Sequence, residues 1–213
     1  MISVIIQDKG EANVIKLTYQ NLWKELKDIE DAELLVSTDW LTPTTKNTYV
    51  CFVEADCLVN SGYFASQIGL FKKNPMFRKL AMLSASIGVN NWANKFYGYE
   101  LGENYAEGIL PVRDKHSSQV YPVQIGYVPG SIMRKKMLGE ALKSEGINST
   151  KDMNLVELST RLSLAFWQQG DGNRVHINPN ASYVTTEDYV NDIGKFDSKV
   201  GQNLVDMFKK ESI

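Results

Sequence analysis

Cysteine and histidine are scarce in this chain, with two of each among its 213 residues. Cys51 and Cys57 do not have the CxxC spacing of a zinc site, and no histidine lies near them in the sequence. We therefore expect neither a zinc site nor a disulfide framework, and a reducing compartment suits the chain best.

The chain also has no long apolar run and no strong net charge. No segment approaches the roughly 18 consecutive apolar residues that a membrane helix requires, and residues 1–6 lack the basic start of a signal peptide. These absences predict a soluble, cytoplasmic protein. A formal net charge of -2 provides no general basic field for holding nucleic acid.

Hydrophobic residues make up 43% of the chain, which is enough for one domain with a substantial core. Short apolar runs alternate with segments of helical three-and-four spacing, and this alternation predicts a largely parallel sheet covered by helices on both faces. The predicted strands are residues 2–6, 33–37, 49–54, 80–85, 119–128, 174–177 and 181–184. The predicted helices are residues 15–29, a helix through residues 64–71, residues 152–169 and a final helix through residues 196–208.

The apolar run that begins at Tyr49 ends in two carboxylates one residue apart, Glu54 and Asp56. If the backbone stays extended, both side chains point to the same side of the strand and could share one hard divalent cation. Ligand crevices form at the carboxyl ends of strands in α/β sheets, so the pair predicts a cation and phosphate site. The alternative interpretation is a plain turn, where acidic residues are common.

Five short segments follow one another in an order known from one enzyme family: residues 2–6, 33–39, 52–64, 128–134 and 152–162. The third contains Glu54-Ala55-Asp56 in the place of a DxD motif, and the fifth begins with Asp152-Met153-Asn154-Leu155. In this order they resemble GT-A glycosyltransferases, in particular the family 2 enzymes, which are inverting and use nucleotide sugars. The resemblance implies a three-layer α/β/α sandwich with a mostly parallel central sheet, the Rossmann-like fold of nucleotide-diphospho-sugar transferases.

The resemblance also implies roles for particular residues. Asp152 would be the general base that takes the proton of an acceptor hydroxyl, and Asp56 with Glu54 would hold a Mn²⁺ or Mg²⁺ ion against the diphosphate. The acceptor is not identified, and the net charge disfavours a nucleic acid without excluding it. The donor, a sugar linked to UDP or GDP, would be bound by Gln7, Asp39, Glu54, Ala55, Asp56 and Gly130.

The chain departs from the family pattern in several places. The acid pair comes after only 53 residues, so the nucleotide-binding half is trimmed. Lys151 stands where the family usually has Glu, and about one additional helical turn before Arg161 makes Glu157 an alternative base. Thr185-Thr186 occupies the neighbourhood of a metal-binding His that the family often has, and the earlier His176 is expected to be structural.

We predict a single domain over residues 1–213, with a nucleotide-sugar-binding half at 1–86, an acceptor-side half at 87–190 and a C-terminal helix at 191–213. The leading function is metal-assisted, inverting transfer of a sugar from a nucleotide diphosphate to an acceptor hydroxyl. The alternative is a catalytically inactive nucleotide-binding or scaffold protein with the same fold. A nucleotidyltransferase is disfavoured because residues 7–10 do not form a Gly-rich, basic loop.

Overall fold

The structure is a computed structural model, and it describes residues 1–73, 79–89, 95–96, 99–101, 109–111, 120–123, 125–169 and 175–185. Its helices are α1 (Ala12–Leu26), α2 (Tyr63–Lys73), α3 (Lys135–Ser144) and α4 (Leu155–Gln168). Its strands are β1 (Ile2–Gln7), β2 (Glu33–Ser37), β3 (Tyr49–Glu54), β4 (Leu58–Val59), β5 (Met82–Val89), β6 (Lys95–Phe96), β7 (Tyr99–Leu101), β8 (Ile109–Pro111), β9 (Tyr121–Pro122), β10 (Ile132–Arg134) and β11 (Val175–Thr185). Within the described residues, none of the helices has the length and apolar character required to cross a membrane.

One mixed sheet organises the molecule. Its main path runs β2-β1-β3-β10-β5-β11-β4, with β6 beside β5 and β9 beside β11, while β7 and β8 pair separately. Strand β1 is parallel to β2 and β3, and β5 is parallel to β11. Because β10 runs antiparallel to both β3 and β5, five strands of the main path share one direction. The predicted mostly parallel sheet is confirmed.

Helices cover both faces of the sheet, so the predicted three layers are present. Ile2, Val4 and Ile6 of β1 pack into a core that includes apolar residues of α1 and α2. Ile5, on the opposite face of β1, belongs to a second core with apolar residues of α3 and α4. A strand that is buried on both faces needs apolar residues at every position, which is why β1 and β3 appear in the sequence as continuous apolar runs.

The predicted strand at residues 119–128 is wrong in the part that the structure describes, where only Tyr121–Pro122 is a strand. Farther along, the backbone of residues 126–128 hydrogen-bonds to buried serine hydroxyls of β5 and α4. Side-chain hydroxyls can satisfy buried backbone groups as well as a strand can. The contacts are Ser84 Oγ to Tyr127 O at 2.9 Å, Gly126 N to Ser163 Oγ at 3.2 Å and Val128 N to Ser159 Oγ at 3.1 Å.

Other boundaries differ from the predictions in smaller ways. The two short strands predicted at 174–177 and 181–184 form the single strand β11, whose pairing with β5 shifts register between Asn178 and Ser182. Helix α4 begins at Leu155, three residues after Asp152, because Asn154 Oδ1 accepts the backbone N–H of Glu157 at 3.2 Å and caps the first turn.

The trimmed nucleotide-binding half is confirmed. Residues 38–48, all of which are described, contain neither a helix nor a strand, so β2 leads to β3 through a loop. The predicted C-terminal helix at residues 196–208 lies outside the described residues. The division of a single domain into halves at residues 1–86 and 87–190 also stays a prediction.

His176 on β11 generates a prediction about pH. Burial lowers its pKa from 6.5 to about 4, so the folded chain holds the imidazole neutral where the unfolded chain protonates it. The unfolded state then binds more protons between these values, and we expect the free energy of unfolding to fall as pH drops from about 6.5 to about 4. Urea denaturation above and within this window should show a smaller decrease for His176→Gln. Equal decreases for both proteins would contradict the assignment.

Candidate active site

Three parallel strands end side by side and form the rim that carries the acid pair. Gln7, the last residue of β1, is in register with Ser37 of β2 and with Glu54 of β3. The backbone turns immediately after Glu54, and the N–H of Cys57 donates to the carbonyl of Glu54 at 3.4 Å. The alternation of side chains along a strand therefore does not extend to Asp56, which lies in the turn and is partly buried.

Glu54 is a buried carboxylate with a cationic neighbour. Its side chain is 2% exposed, and Lys9 Nζ lies 2.7 Å from its Oε1. The backbone N–H of Glu54 donates to the hydroxyl of Tyr183 on β11 at 3.0 Å. Burial is the largest single influence and would lower the pKa of Lys9, but the charge and hydrogen bond of Glu54, together with the charges of Asp56 and Glu11, raise that pKa above its ordinary value. The Lys9 ammonium therefore stays protonated at neutral pH.

Helix α1 holds the segment that follows the acid pair. Polar residues on one face of this helix bond to successive backbone groups of residues 55–62, and their spacing of three and four residues places them in line. The backbone around Asp56 is thereby fixed from the helix side. The contacts are Thr18 Oγ1 to Ala55 O, Val59 N to Asn21 Oδ1 at 3.2 Å and Gly62 N to Glu25 Oε2 at 2.7 Å.

Gly130 lies against the same rim, in a turn that only glycine fits. Its φ is +77°, and a Cβ at this position would lie 2.6 Å from the ring of Tyr183. Its N–H donates to the carbonyl of Phe52 at 2.7 Å, and its carbonyl accepts the hydroxyl of Tyr63. Gly130 thus packs against the ring of Tyr183, and the hydroxyl of Tyr183 accepts the backbone N–H of Glu54, two residues after Phe52.

Asp39, two residues beyond β2, is bonded to a distant part of the chain. Its Oδ1 accepts the N–H of Leu41 at 2.9 Å and both the N–H and the hydroxyl of Thr150, at 3.1 Å and 2.7 Å. Its Oδ2 accepts the hydroxyl of Ser149. Burial would raise the pKa of Asp39, but these hydrogen bonds lower it to about 2. In this structure the carboxylate links the β2–β3 loop to the α3–α4 loop.

Trp40 continues this link into the sheet. Its backbone N–H donates to Thr150 Oγ1 at 3.1 Å, and its indole N–H donates to the carbonyl of Val53 at 3.1 Å. The indole stacks on Phe52 with a centroid distance of 5.3 Å. The loop before α4 is therefore tied to the end of β3, next to Glu54.

Of the two candidate bases, Asp152 lies in this loop and Glu157 lies in α4. Asp152 is exposed, has a φ of +63° and is two residues from Thr150. Glu157 is exposed on α4 and forms an i,i+4 ion pair with Arg161 at 3.5 Å. Arg161 also pairs with Glu145 at 3.1 Å. The structure thus brings Gln7, Glu54, Ala55, Asp56 and Gly130 together. Asp152 lies in the loop that Thr150 ties to Asp39 and Trp40, whereas Glu157 belongs to an α3–α4 ion-pair group.

The acid pair provides the type of ligand that a divalent cation prefers, but its side chains are not grouped as a metal site. Carboxylate oxygens are the ligands that Mn²⁺ and Mg²⁺ prefer, and phosphate oxygens commonly complete such sites. Among the described residues, no three His, Cys, Asp or Glu side chains are grouped to hold a metal ion. Glu54 already binds Lys9 through Oε1, so a cation would have to share this carboxylate with the Lys9 ammonium. Asp56 is the residue that fits the role directly.

Comparison with known proteins addresses the fold. No family profile matches the chain, and no curated protein matches its sequence. Among solved structures, S. aureus TarS 1-349 is similar at 12% identity and a TM-score of 0.51, over 96% of this chain and 68% of that one. GalNAc-T7 with UDP, GalNAc and Mn2+ is similar at 12% identity and a TM-score of 0.51, over 87% of this chain and 43% of that one. This chain has the GT-A fold.

These GT-A neighbours are glycosyltransferases, and the resemblance inferred from the sequence is confirmed at the level of the fold. The chain spans only part of their length. It covers 43% of the GalNAc-T7 structure. At 12% identity, these similarities show the fold of this chain and not its activity or substrates.

Sequence reasoning missed three contacts of the GT-A rim. The resemblance implies that the loop from Gln7 to Glu11 lines the nucleotide pocket, but it assigns no role to Lys9, although a cation after the first strand is a usable signal. Tyr183 and Thr18 gave no signal, because each reaches the acid pair from a distant element. Their roles depend on tertiary neighbours that no local pattern contains.

The linking role of Asp39 predicts a loss of stability on Asp39→Ala. The change removes the acceptor for the buried N–H and hydroxyl of Thr150, so we expect the free energy of unfolding to fall by about 1–3 kcal/mol. Because the pKa of Asp39 is depressed, its contribution is present above about pH 4 and is lost as pH falls toward about 2. Urea denaturation measures both effects, with Asp28→Ala on an exposed turn as the control. A loss no greater than that of the control would contradict this role.

Proposed function

We propose that this chain is a glycosyltransferase that moves a sugar from a nucleotide diphosphate to an acceptor hydroxyl. The observation that carries the proposal is the acid pair Glu54 and Asp56 at the carboxyl end of β3, on the rim of a GT-A sheet. The similar structure of GalNAc-T7 contains UDP and Mn2+, which supports a nucleotide donor and a divalent cation for this fold.

The donor site of this proposal lies at the rim formed by residues 1–86 together with Gly130. Gln7 and Glu54 are adjacent in register, Ala55 and Asp56 follow in the turn, and Gly130 contacts the same group through Tyr183. A donor linked to UDP or GDP would place its diphosphate beside Asp56. Asp39 borders this rim, and we propose that it orders the base side of the pocket through Ser149 and Thr150.

A divalent cation, Mn²⁺ or Mg²⁺, is the second part of the proposal. Asp56 would be its main protein ligand, with Glu54 as a further ligand that it would share with the Lys9 ammonium. When bound, such an ion supplies Lewis-acid stabilisation of the negative charge that develops on the departing diphosphate.

Asp152 is the proposed general base. The acceptor oxygen would form its bond to the anomeric carbon on the face opposite the diphosphate while the bond to the diphosphate breaks, which inverts the configuration. The carboxylate of Asp152 would receive the hydroxyl proton in this step. Asp152 is exposed, in the loop that Thr150 ties to Trp40, whereas Glu157 is paired with Arg161. These contacts favour Asp152 over Glu157.

Nucleotide binding is the first test. We expect UDP or GDP to raise the thermal unfolding midpoint, because a ligand that binds only the folded protein stabilises it, and we expect Mn²⁺ to increase the shift. Asp56→Asn should lose the Mn²⁺ increment, whereas Asp28→Asn, on an exposed turn, should keep it. A wild-type chain that binds no nucleotide under any of these conditions would overturn the proposed function.

Turnover tests the role of Asp152. Asp152→Asn should lower kcat by roughly 10²–10⁴ and leave UDP affinity unchanged, because a general base acts on the acceptor and not on the donor. Glu157→Gln should change kcat far less. The assay is release of free nucleotide from a panel of sugar nucleotides with Mn²⁺. Tight nucleotide binding without turnover on any donor would indicate the alternative, an inactive nucleotide-binding protein.

A further inference from the structure

Lys9 is the cation nearest the acid pair among the described contacts. It lies in the turn between β1 and α1, and its Nζ is 2.7 Å from Glu54 Oε1. The Lys9 side chain is 51% exposed, while that of Glu54 is 2% exposed. The same ammonium therefore contacts a buried carboxylate and remains accessible from the rim.

The negative charges of the acid pair oppose the binding of a diphosphate, and Lys9 reduces that repulsion. A diphosphate carries negative charge, and two carboxylates at its binding site would repel it. The ammonium of Lys9 neutralises Glu54, which leaves Asp56 as the remaining negative charge of the pair. Helix α1 begins at Ala12, so the positive end of its dipole lies on the same side of the rim.

Lys9 also has the bonding capacity for a second anionic partner. A lysine ammonium has three N–H donors, and Glu54 Oε1 accepts one of them. The charge of Asp56 contributes to the raised pKa of Lys9, after the larger effects of burial and of Glu54, so Lys9 is within electrostatic range of both acids. A diphosphate placed beside Asp56 would therefore lie within the field of the Lys9 ammonium.

We propose that Lys9 is a donor-binding residue whose ammonium bridges Glu54 and the diphosphate of the nucleotide sugar, so that part of the donor affinity needs no divalent cation. This inference rests on the proposed function and extends it to the cofactor requirement. Asp56 remains the carboxylate for a cation, and Glu54 serves as the anchor that positions Lys9.

A merely structural ion pair would behave differently from a bridging one. If Lys9 only neutralises Glu54, removal of both charges should leave the net charge of the rim unchanged and the UDP affinity normal. If Lys9 contacts the diphosphate, the double variant Lys9→Gln/Glu54→Gln should still bind UDP more weakly than the wild type, because the donor that reaches the diphosphate is gone. The double variant also leaves no buried unpaired carboxylate, so its folding is protected.

The experiment is isothermal titration of UDP in EDTA and again in Mn²⁺. In EDTA we expect Lys9→Gln to weaken UDP binding by roughly 10-fold to 100-fold, the range for a hydrogen bond to a charged group. Glu54→Gln should weaken UDP binding in EDTA less than Lys9→Gln does, because the ammonium remains although its anchor is lost. Mn²⁺ should improve UDP binding by a larger factor in Lys9→Gln than in the wild type, since Glu54 is then released. Lys16→Gln, an exposed lysine of α1, is the charge-matched control and should match the wild type.

Each contrary outcome has a distinct meaning. Wild-type UDP binding that disappears in EDTA overturns this inference and leaves the proposed function intact. The same holds if Lys9→Gln binds UDP in EDTA as the wild type does, or if the double variant regains wild-type affinity. A wild-type chain that binds no UDP or GDP in either condition overturns the proposed function, and this inference with it.

Discussion

The burial of the Glu54 carboxylate is the constraint on which the arrangement of the rim depends. Strand β3 is buried along its whole length, and a carboxylate at its end is costly unless charge and hydrogen bonds compensate it. Lys9 supplies the charge from the turn after β1, and Tyr183 on β11 accepts the backbone N–H of Glu54. Elements from both ends of the described chain therefore meet at one residue, and this meeting places the acid pair where a diphosphate could bind.

Bonds from side chains to backbone hold the irregular segments around this point. Thr18, Asn21 and Glu25 of α1 bind residues 55–62, and three serines bind residues 126–128. Asp39 binds the loop that carries Asp152. The sheet has no helix or strand between β2 and β3, and the loops at its rim are nevertheless held by these bonds. In this trimmed GT-A domain, polar side chains hydrogen-bond to the backbone of these segments, as neighbouring strands do elsewhere in the sheet.

The parts of the fold that were predictable are those with a local signal. Strands β1 and β3 were predicted almost to the residue because a strand buried on both faces requires a continuous apolar run. The strand predicted at 119–128 failed because the partners of its backbone are hydroxyls of Ser84, Ser159 and Ser163, which no local pattern shows. Asp39 was assigned to the nucleotide base through resemblance, yet its carboxylate bonds to Thr150, 111 residues away. The assignment of Asp56, Gly130 and Asp152 to the site stays a proposal.

The order of apolar runs, helical periods and acidic residues was sufficient for the layered architecture and for the location of an acid pair at a strand end, because burial on two faces and side-chain periodicity are properties of neighbouring residues. The electrostatic character of that pair was not contained in any such pattern. It depends on Lys9 lying 2.7 Å from Glu54, a contact between residues 45 positions apart that exists only when β1 and β3 pair in register. Charge interactions act through space, and the folded chain decides which charges become neighbours.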